Sequence, residues 1–164
     1  MTEQTDSLLR GFAADHEQLR DAVALLRSAA SVLAAGVTPE AMDATRGAYT
    51  AVVERILPHE RAEETQRYPA LAVPLGGAEA TAPMSRAHAE IERLTRRLGL
   101  LIQQLDDSRA LGASSIDRGQ IEDLLATLYG LHAVFTLHFT QEEESYFALA
   151  AHPASQATTG ERVS

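Results

Sequence analysis

Apolar residues recur every three or four positions through almost the whole chain, and no long alternating run interrupts them. That period is the turn of an α-helix rather than the pleat of a strand, so the chain buries its apolar surface as packed helices. Leu8, Leu9, Phe12, Leu19, Val23, Leu26 and Val32 trace a first helix, which Gly36 ends. Thr38-Pro39-Glu40 reads as an N-cap followed by proline at the first helical position, opening a second helix that runs to about Tyr68. "PLGGAEATAP" (74–83) is a turn-rich connection, and a third helix follows from about Met84 to Gln104. "DDSRALGASS" breaks the pattern again, and Ser115 can cap a fourth helix ending near Ala150. Connections this short make consecutive helices antiparallel. The expected fold is all-α, an up-down-up-down four-helix bundle over residues 1–151 with a disordered tail at 152–164.

A chain of 164 residues is long enough to bury one such core without staples. It contains no cysteine, which excludes disulfides, thiolate metal sites and thiol catalysis. A formal net charge of −9 argues against nucleic acid or an anionic membrane as the main partner, since both reward clustered lysine and arginine. No segment has the layout of a signal peptide, and no apolar run approaches the ~20 residues of a membrane span. A soluble, cytoplasmic domain is the expectation.

Within the helical pattern the histidines form a repeat. The first helix has one in "DHEQL" (His16) and the third has one in "AHAEI" (His88). The second and fourth helices each carry histidine with glutamate four later, in "PHERAEETQRYPAL" (His59, Glu63) and "HFTQEEESYFALA" (His138, Glu142). Residues four apart on a helix differ by only about 40° in direction, so each imidazole and its carboxylate point the same way from adjacent turns. On the fourth helix they lie in a stripe of Leu131, Phe135, His138, Glu142, Tyr146 and Leu149, which should face the core. Pro58, just before His59, removes one ladder bond and should bend the second helix, either as a tolerated kink or as one that aims His59.

An unpaired carboxylate in such a core costs several kcal/mol and would sooner protonate than stay charged. Two glutamates among four imidazoles become reasonable when one or two divalent cations supply the positive charge. A mixed nitrogen and carboxylate set suits a dinuclear transition-metal site. One His-x-x-x-Glu alone is weak, because an exposed i,i+4 pair is ordinary surface chemistry. Two copies on core-facing stripes, each preceded by a helix with one inward histidine, are not. His132 lies about 120° around the helix from His138 and reads as a boundary residue, while His152 precedes a proline at the helix end. A zincin needs H-E-x-x-H, but "HERAE" has Glu63 where the second histidine must stand. Ferritin-like sites need Glu-x-x-His, and the residues three before the histidines are Ala13, Ile56, Ser85 and Phe135.

At these residues the chain resembles the hemerythrin-like family, also called HHE cation-binding domains, from about residue 6 to 150. The resemblance implies a four-helix bundle holding two iron ions in a non-haem centre, bridged by carboxylates and often by an oxo or hydroxo group. Zinc or manganese can load such a site on purification. Carried over by position, it implies His16 and His59 on one iron, His88 and His138 on the other, and Glu63 and Glu142 bridging. Oxygen-carrying members place a fifth histidine where this chain has Glu92, so Glu60, Glu92 or water must complete the sphere. Glu60 is preferred, because an iron-sensing F-box protein of the family is similar in having His-Glu-x-x-Glu on its second helix. Tyr49 and Tyr146 are further candidates, although a bundle tyrosine is more often core with a wet hydroxyl. Replacing imidazole by carboxylate favours the ferric state and weakens the case for reversible dioxygen carriage. The implied function is binding of, or reaction with, dioxygen, nitric oxide or peroxide, or the sensing and holding of iron. A peroxidase- or catalase-like oxidoreductase is the alternative.

Overall fold

The computed structural model describes residues 3–73, 75–110 and 117–147. Ser115, Leu149, Ala150, His152 and the expected tail at 152–164 lie outside them, as do the side chains of Leu8, Leu9, Phe12 and Phe147. Among the described residues there is no strand. The first helix is α1 (Glu3–Ala35). The second is a run of α2 (Pro39–Ala51), α3 (Leu57–Ala62) and α4 (Tyr68–Ala72), joined by π-helical turns at Val52–Ile56 and Glu63–Arg67. The third is α5 (Ala82–Ala110), and the fourth is α6 (Arg118–Glu142), continued by a π-helical turn at Glu143–Phe147. The first helix packs on the second and fourth, and the third on the same two, so the four close into a ring around one core.

Thr38 caps α2 as expected: its hydroxyl oxygen accepts from the Ala41 N–H at 3.2 Å, with Pro39 behind it. The second helix does not end at Tyr68 but runs one turn further. Its connection to the third helix turns at Gly76 and Gly77, whose φ of 92° and 139° is a region L side chains rarely adopt. The third helix also outlasts its expected end. Asp106, Asp107 and Ser108 stay helical, because the guanidinium of Arg46 holds Asp106 and the Ser108 hydroxyl donates to the Gln104 carbonyl. The fourth helix starts from Asp117, whose carboxylate accepts from the Gln120 N–H.

Pro58 does not simply kink the helix. Each proline inside the second helix follows a wide turn. The N–H of Leu57, just before Pro58, reaches back five residues to the Val52 carbonyl. The N–H of Tyr68, just before Pro69, does the same to Glu63. A proline offers no N–H to the carbonyl four residues back and its ring collides with it, so an extra residue in that turn absorbs both problems. The same two turns set the azimuth of His59, Glu60, Glu63 and Glu64.

The core combines Leu26, Leu33, Met42, Ile56, Ile91, Leu98, Leu105, Leu128 and Phe135, all essentially inaccessible. Val32, expected on the apolar face of the first helix, is exposed at 42%, and Leu33 takes the inward position. No described helix is long and apolar enough to cross a membrane.

Replacing Thr38 with alanine orphans a first-turn N–H of α2 and should cost about 1 kcal/mol of stability. Denaturant melts should show a lower midpoint with an unchanged slope, whereas an unchanged midpoint would mean the cap is idle.

Candidate metal centre

His16, His88, His138, Glu60, Glu63 and Glu142 lie between 0% and 7% exposed, although all carry polar or charged heads. They meet at the level where the π-helical turns begin. One group comprises His16, His59 and Glu63, and a second comprises Glu60, Glu63, His88 and His138; within each, the potential ligand atoms lie within 4.8 Å of one another. Glu63 belongs to both. Its Oε1 is 2.8 Å from His59 Nε2 and 3.7 Å from His16 Nε2, while its Oε2 faces His88 Nε2 at 3.4 Å. Glu142 stands across from it, with Oε2 at 3.2 Å from His16 Nε2 and 3.4 Å from His138 Nε2. Glu60 Oε2 is 2.5 Å from His88 Nε2 and 3.3 Å from His138 Nε2.

These approaches are close but largely lack hydrogen-bonding geometry. Both oxygens of Glu60, both of Glu63 and Oε2 of Glu142 are buried without a hydrogen-bond donor. Buried carboxylates are ordinarily satisfied, because an unpaired one loses its hydration for nothing. Apart from Arg67 Nη1, 3.5 Å from Glu63 Oε1, what surrounds these oxygens is imidazole nitrogen, and lone pairs from several helices converging on shared points are what a bound cation requires. Two histidines even face each other, with His88 Nε2 and His138 Nε2 2.9 Å apart. The residues therefore fit a metal ion by donor type, burial and convergence.

The sequence reading missed the layer behind these atoms. His88 Nδ1 donates to Glu64 Oε1 at 2.9 Å, and the Ser85 hydroxyl steadies Glu64 at 3.1 Å. His16 Nδ1 donates to Glu143 Oε1 at 3.3 Å, which Arg20 also holds at 2.7 Å. A carboxylate only accepts, so each Nδ1 carries a proton, and in the neutral ring Nε2 is left as a lone pair facing inward. The doubled glutamates of "HERAEE" and "HFTQEE" were the available signal. In both copies the first acid enters the site and the second orients the lone histidine of a neighbouring helix. His59 is flanked differently: its Nδ1 is 4.0 Å from Asp15, a carboxylate that Arg67 grips.

Tyr68 is the other omission. Its hydroxyl donates to Glu142 Oε1 and lies 3.1 Å from His88 Nε2. Burial, with the charges of Glu142 and Glu63, pushes its pKa up, so it remains a donor. Tyr146 is buried with its ring 6.2 Å from that of Tyr68, placing it behind the centre. Tyr49 packs against Gly99, away from these residues, where a Cβ would come within 2.8 Å of its hydroxyl. Glu92 is exposed, on the rim of a cavity whose floor includes Glu60 and His88. Of the two acids able to replace a fifth histidine, only Glu60 reaches the cluster. His132 is half-buried at the boundary, and burial lowers its pKa.

The sequence matches the Hemerythrin HHE cation binding domain over residues 7–150. This chain belongs to the hemerythrin HHE family. No curated protein and no solved structure gave a match to it. The family assignment and the buried histidine–glutamate cluster together fit a metal-binding hemerythrin-like bundle.

Without a cation, protons take its place. Burial disfavours the charged form of His16, but Glu142 and Glu63 outweigh it and raise the pKa to about 9. Burial likewise opposes protonation of His88, and Glu60 and Glu63 raise it to about 10. Burial pushes Glu60 and Glu63 up, yet the facing histidines hold both below the usual carboxylate range. The histidines lie above their unfolded value, so their contribution is complete below about pH 6.5 and is lost as pH rises through 9 to 10. The glutamates lie below theirs, so their contribution is present above about pH 4.5 and is lost as pH falls. Metal-free protein should therefore melt highest between about pH 4.5 and 6.5, with a falling melting temperature toward pH 10. Thermal melts in chelator test this, and a melting temperature that rises across that upper range would contradict the protonated cluster. Adding cation at pH 7 should release protons, readable with an indicator dye in weak buffer.

Proposed function

We propose that the chain is a cytoplasmic non-haem di-iron protein whose centre binds or reacts with dioxygen, nitric oxide or peroxide, or senses and holds iron. The observation that carries this reading is Glu63, buried between two histidine groups with one carboxylate oxygen turned to each. A carboxylate split in this way suits two cations rather than one. His16 and His59 would hold the first ion. Glu60, His88 and His138 would hold the second, with Glu63 and Glu142 shared. The iron pair would supply a redox-active Lewis acid able to bind small oxidants.

The chain's own residues supply the rest. Glu64 and Glu143 fix the ring orientation of His88 and His16, and the basicity they lend strengthens both nitrogens as ligands. Tyr68 restrains Glu142 by donating to its Oε1, leaving Oε2 for the interior. Phe139 stacks on His16 with ring centroids 4.3 Å apart and keeps water from that side.

A second reading, a peroxidase- or catalase-like oxidoreductase, draws on the three buried acids Glu60, Glu63 and Glu142. More anionic donors favour the ferric state and hence turnover over reversible carriage. Oxygen release from peroxide by iron-loaded protein decides this reading. A rate no greater than that of free iron dismisses it.

Elemental analysis of untagged, iron-reconstituted protein should find two ions per chain, and Glu63→Ala should hold fewer. Air, nitric oxide or peroxide added to the diferrous protein should change its ultraviolet–visible spectrum; a spectrum indifferent to all three would refute the proposal. At metal concentrations a hundredfold above Kd, loading stabilises the fold by about 2.7 kcal/mol. Chelator should accordingly lower the melting temperature by roughly 5–10 °C in a chain of this size.

A further inference from the structure

The two halves of the site repeat one another, but their outer faces differ. His59 and His138 occupy equivalent positions in the two sequence copies, so Glu60 in one corresponds to Phe139 in the other. His16 and His88 are likewise equivalent, so Arg20 corresponds to Glu92. Between the first and fourth helices, Phe139 lies flat against His16 and Arg20 locks Glu143, leaving His16 at 0% exposure. A cavity of about 160 Å³ on that side ends at Arg20 and Phe139 and is lined by no residue of the cluster, whereas the cavity of about 310 Å³ between the second and third helices reaches Glu60 and His88. Its lining includes Glu92, Glu64, Ser85, Glu60 and His88. His88 keeps 7% exposure there. Arg61 is the one arginine, and there is no lysine, among the cavity's lining residues.

A row of acids on a surface is usually a solvated face. Here its inner member is Glu60, only 4% exposed, with both carboxylate oxygens lacking a hydrogen-bond donor. Glu60 also approaches His88 and His138. The acids thus run from solvent to an unsatisfied carboxylate inside the cluster. Negative walls around a low-dielectric cleft concentrate cations and repel anions.

We propose that this cleft between the second and third helices is the entry route for divalent cations, with Glu92 capturing the hydrated ion and Glu60 receiving it at the inner end, while Phe139 and Arg20 separate the smaller opposite cavity from the cluster. This rests on the metal-binding reading above. The ion sheds water stepwise as carboxylate oxygens replace it, and it first meets the half formed by Glu60, His88 and His138. Arg61 opposes capture by like charge.

Stopped-flow mixing of metal-free full-length protein with cobalt(II), followed by the visible ligand-field bands, measures loading without any assay of activity. Glu92→Gln should slow the bimolecular phase roughly tenfold at low salt, as expected for removing one charge about 6 Å from a dication in water, with the effect fading at high salt. Arg61→Ala should speed it, and both variants should reach the wild-type final absorbance. Glu122→Gln, at the far end of the fourth helix, changes net charge equally and should load at the wild-type rate. The proposal is overturned if Glu92→Gln loads normally, if Glu122→Gln slows loading as much, or if Arg20→Gln rather than Arg61→Ala accelerates it. Absence of any cobalt band in wild-type protein would count against metal binding itself, a result distinct from a misplaced entrance.

Discussion

Three carboxylates sit inside an apolar bundle, and the molecule must give them positive charge. Glu60, Glu63 and Glu142 are each under 5% exposed, and Glu63 is fully enclosed. Left anionic and alone, each would cost several kcal/mol, comparable to the whole stability of a domain. Without metal, protonated His16 and His88 compensate, together with Arg67 at 3.5 Å from Glu63; in the proposed centre, cations displace the histidine protons. Either way the interior at this level is held by charge neutralisation rather than by packing alone. The outer carboxylates Glu64 and Glu143 extend the same logic, since each steadies an imidazole that faces an acid on its other side.

Backbone irregularity is concentrated where the charges are. The π-helical turns begin at Val52, Glu63 and Glu143, just before or within the two acid-rich segments. An extra residue in a turn rotates everything after it, so the doubled acids can divide their work. One points to the interior and its neighbour reaches an adjacent helix. A regular helix separates consecutive residues by about 100°, and the widened turn modifies that relation locally. Two of the three π turns coincide with prolines, which makes them cheap: the hydrogen bond given up there is one that proline could not have formed.

Much of this was legible in the sequence because helical periodicity and the i,i+4 pairs are local. Three-four spacing placed the four helices, Thr38 announced a cap, and the repeated His-x-x-x-Glu marked the inner stripe on which His138 and Glu142 lie. Other features depend on partners distant in sequence. Tyr68 marked only the expected end of the second helix; the packing of that helix against the third and fourth brings its hydroxyl to His88 and Glu142. The aspartates at 106 and 107 read as a break because their helix propensity is poor, whereas Arg46 on another helix satisfies one of them. Val32 and Leu33 could not be ranked from period alone, since a one-residue shift stays within the width of an apolar stripe. Proline at 58 suggested a bend, and a widened turn is the other way a backbone can absorb the same missing donor.

The repeat also explains why its two halves should not be chemically equal. Duplicated elements supply a lone imidazole and an imidazole–carboxylate pair on each side, enough to frame two cations symmetrically. Glu60 in the position of Phe139 breaks that symmetry at the innermost layer, and Glu92 in the position of Arg20 breaks it at the surface. The side with Glu60 gains an anionic donor and an open approach. The side with Phe139 gains a stacked ring that covers His16. A harder, more anionic environment holds a cation of higher charge more firmly, and exposure to a cleft lets small molecules reach it. In the proposed centre, an ion held beside Glu60 would therefore have both the stronger electrostatic hold and the open flank, and an external ligand would meet that half first.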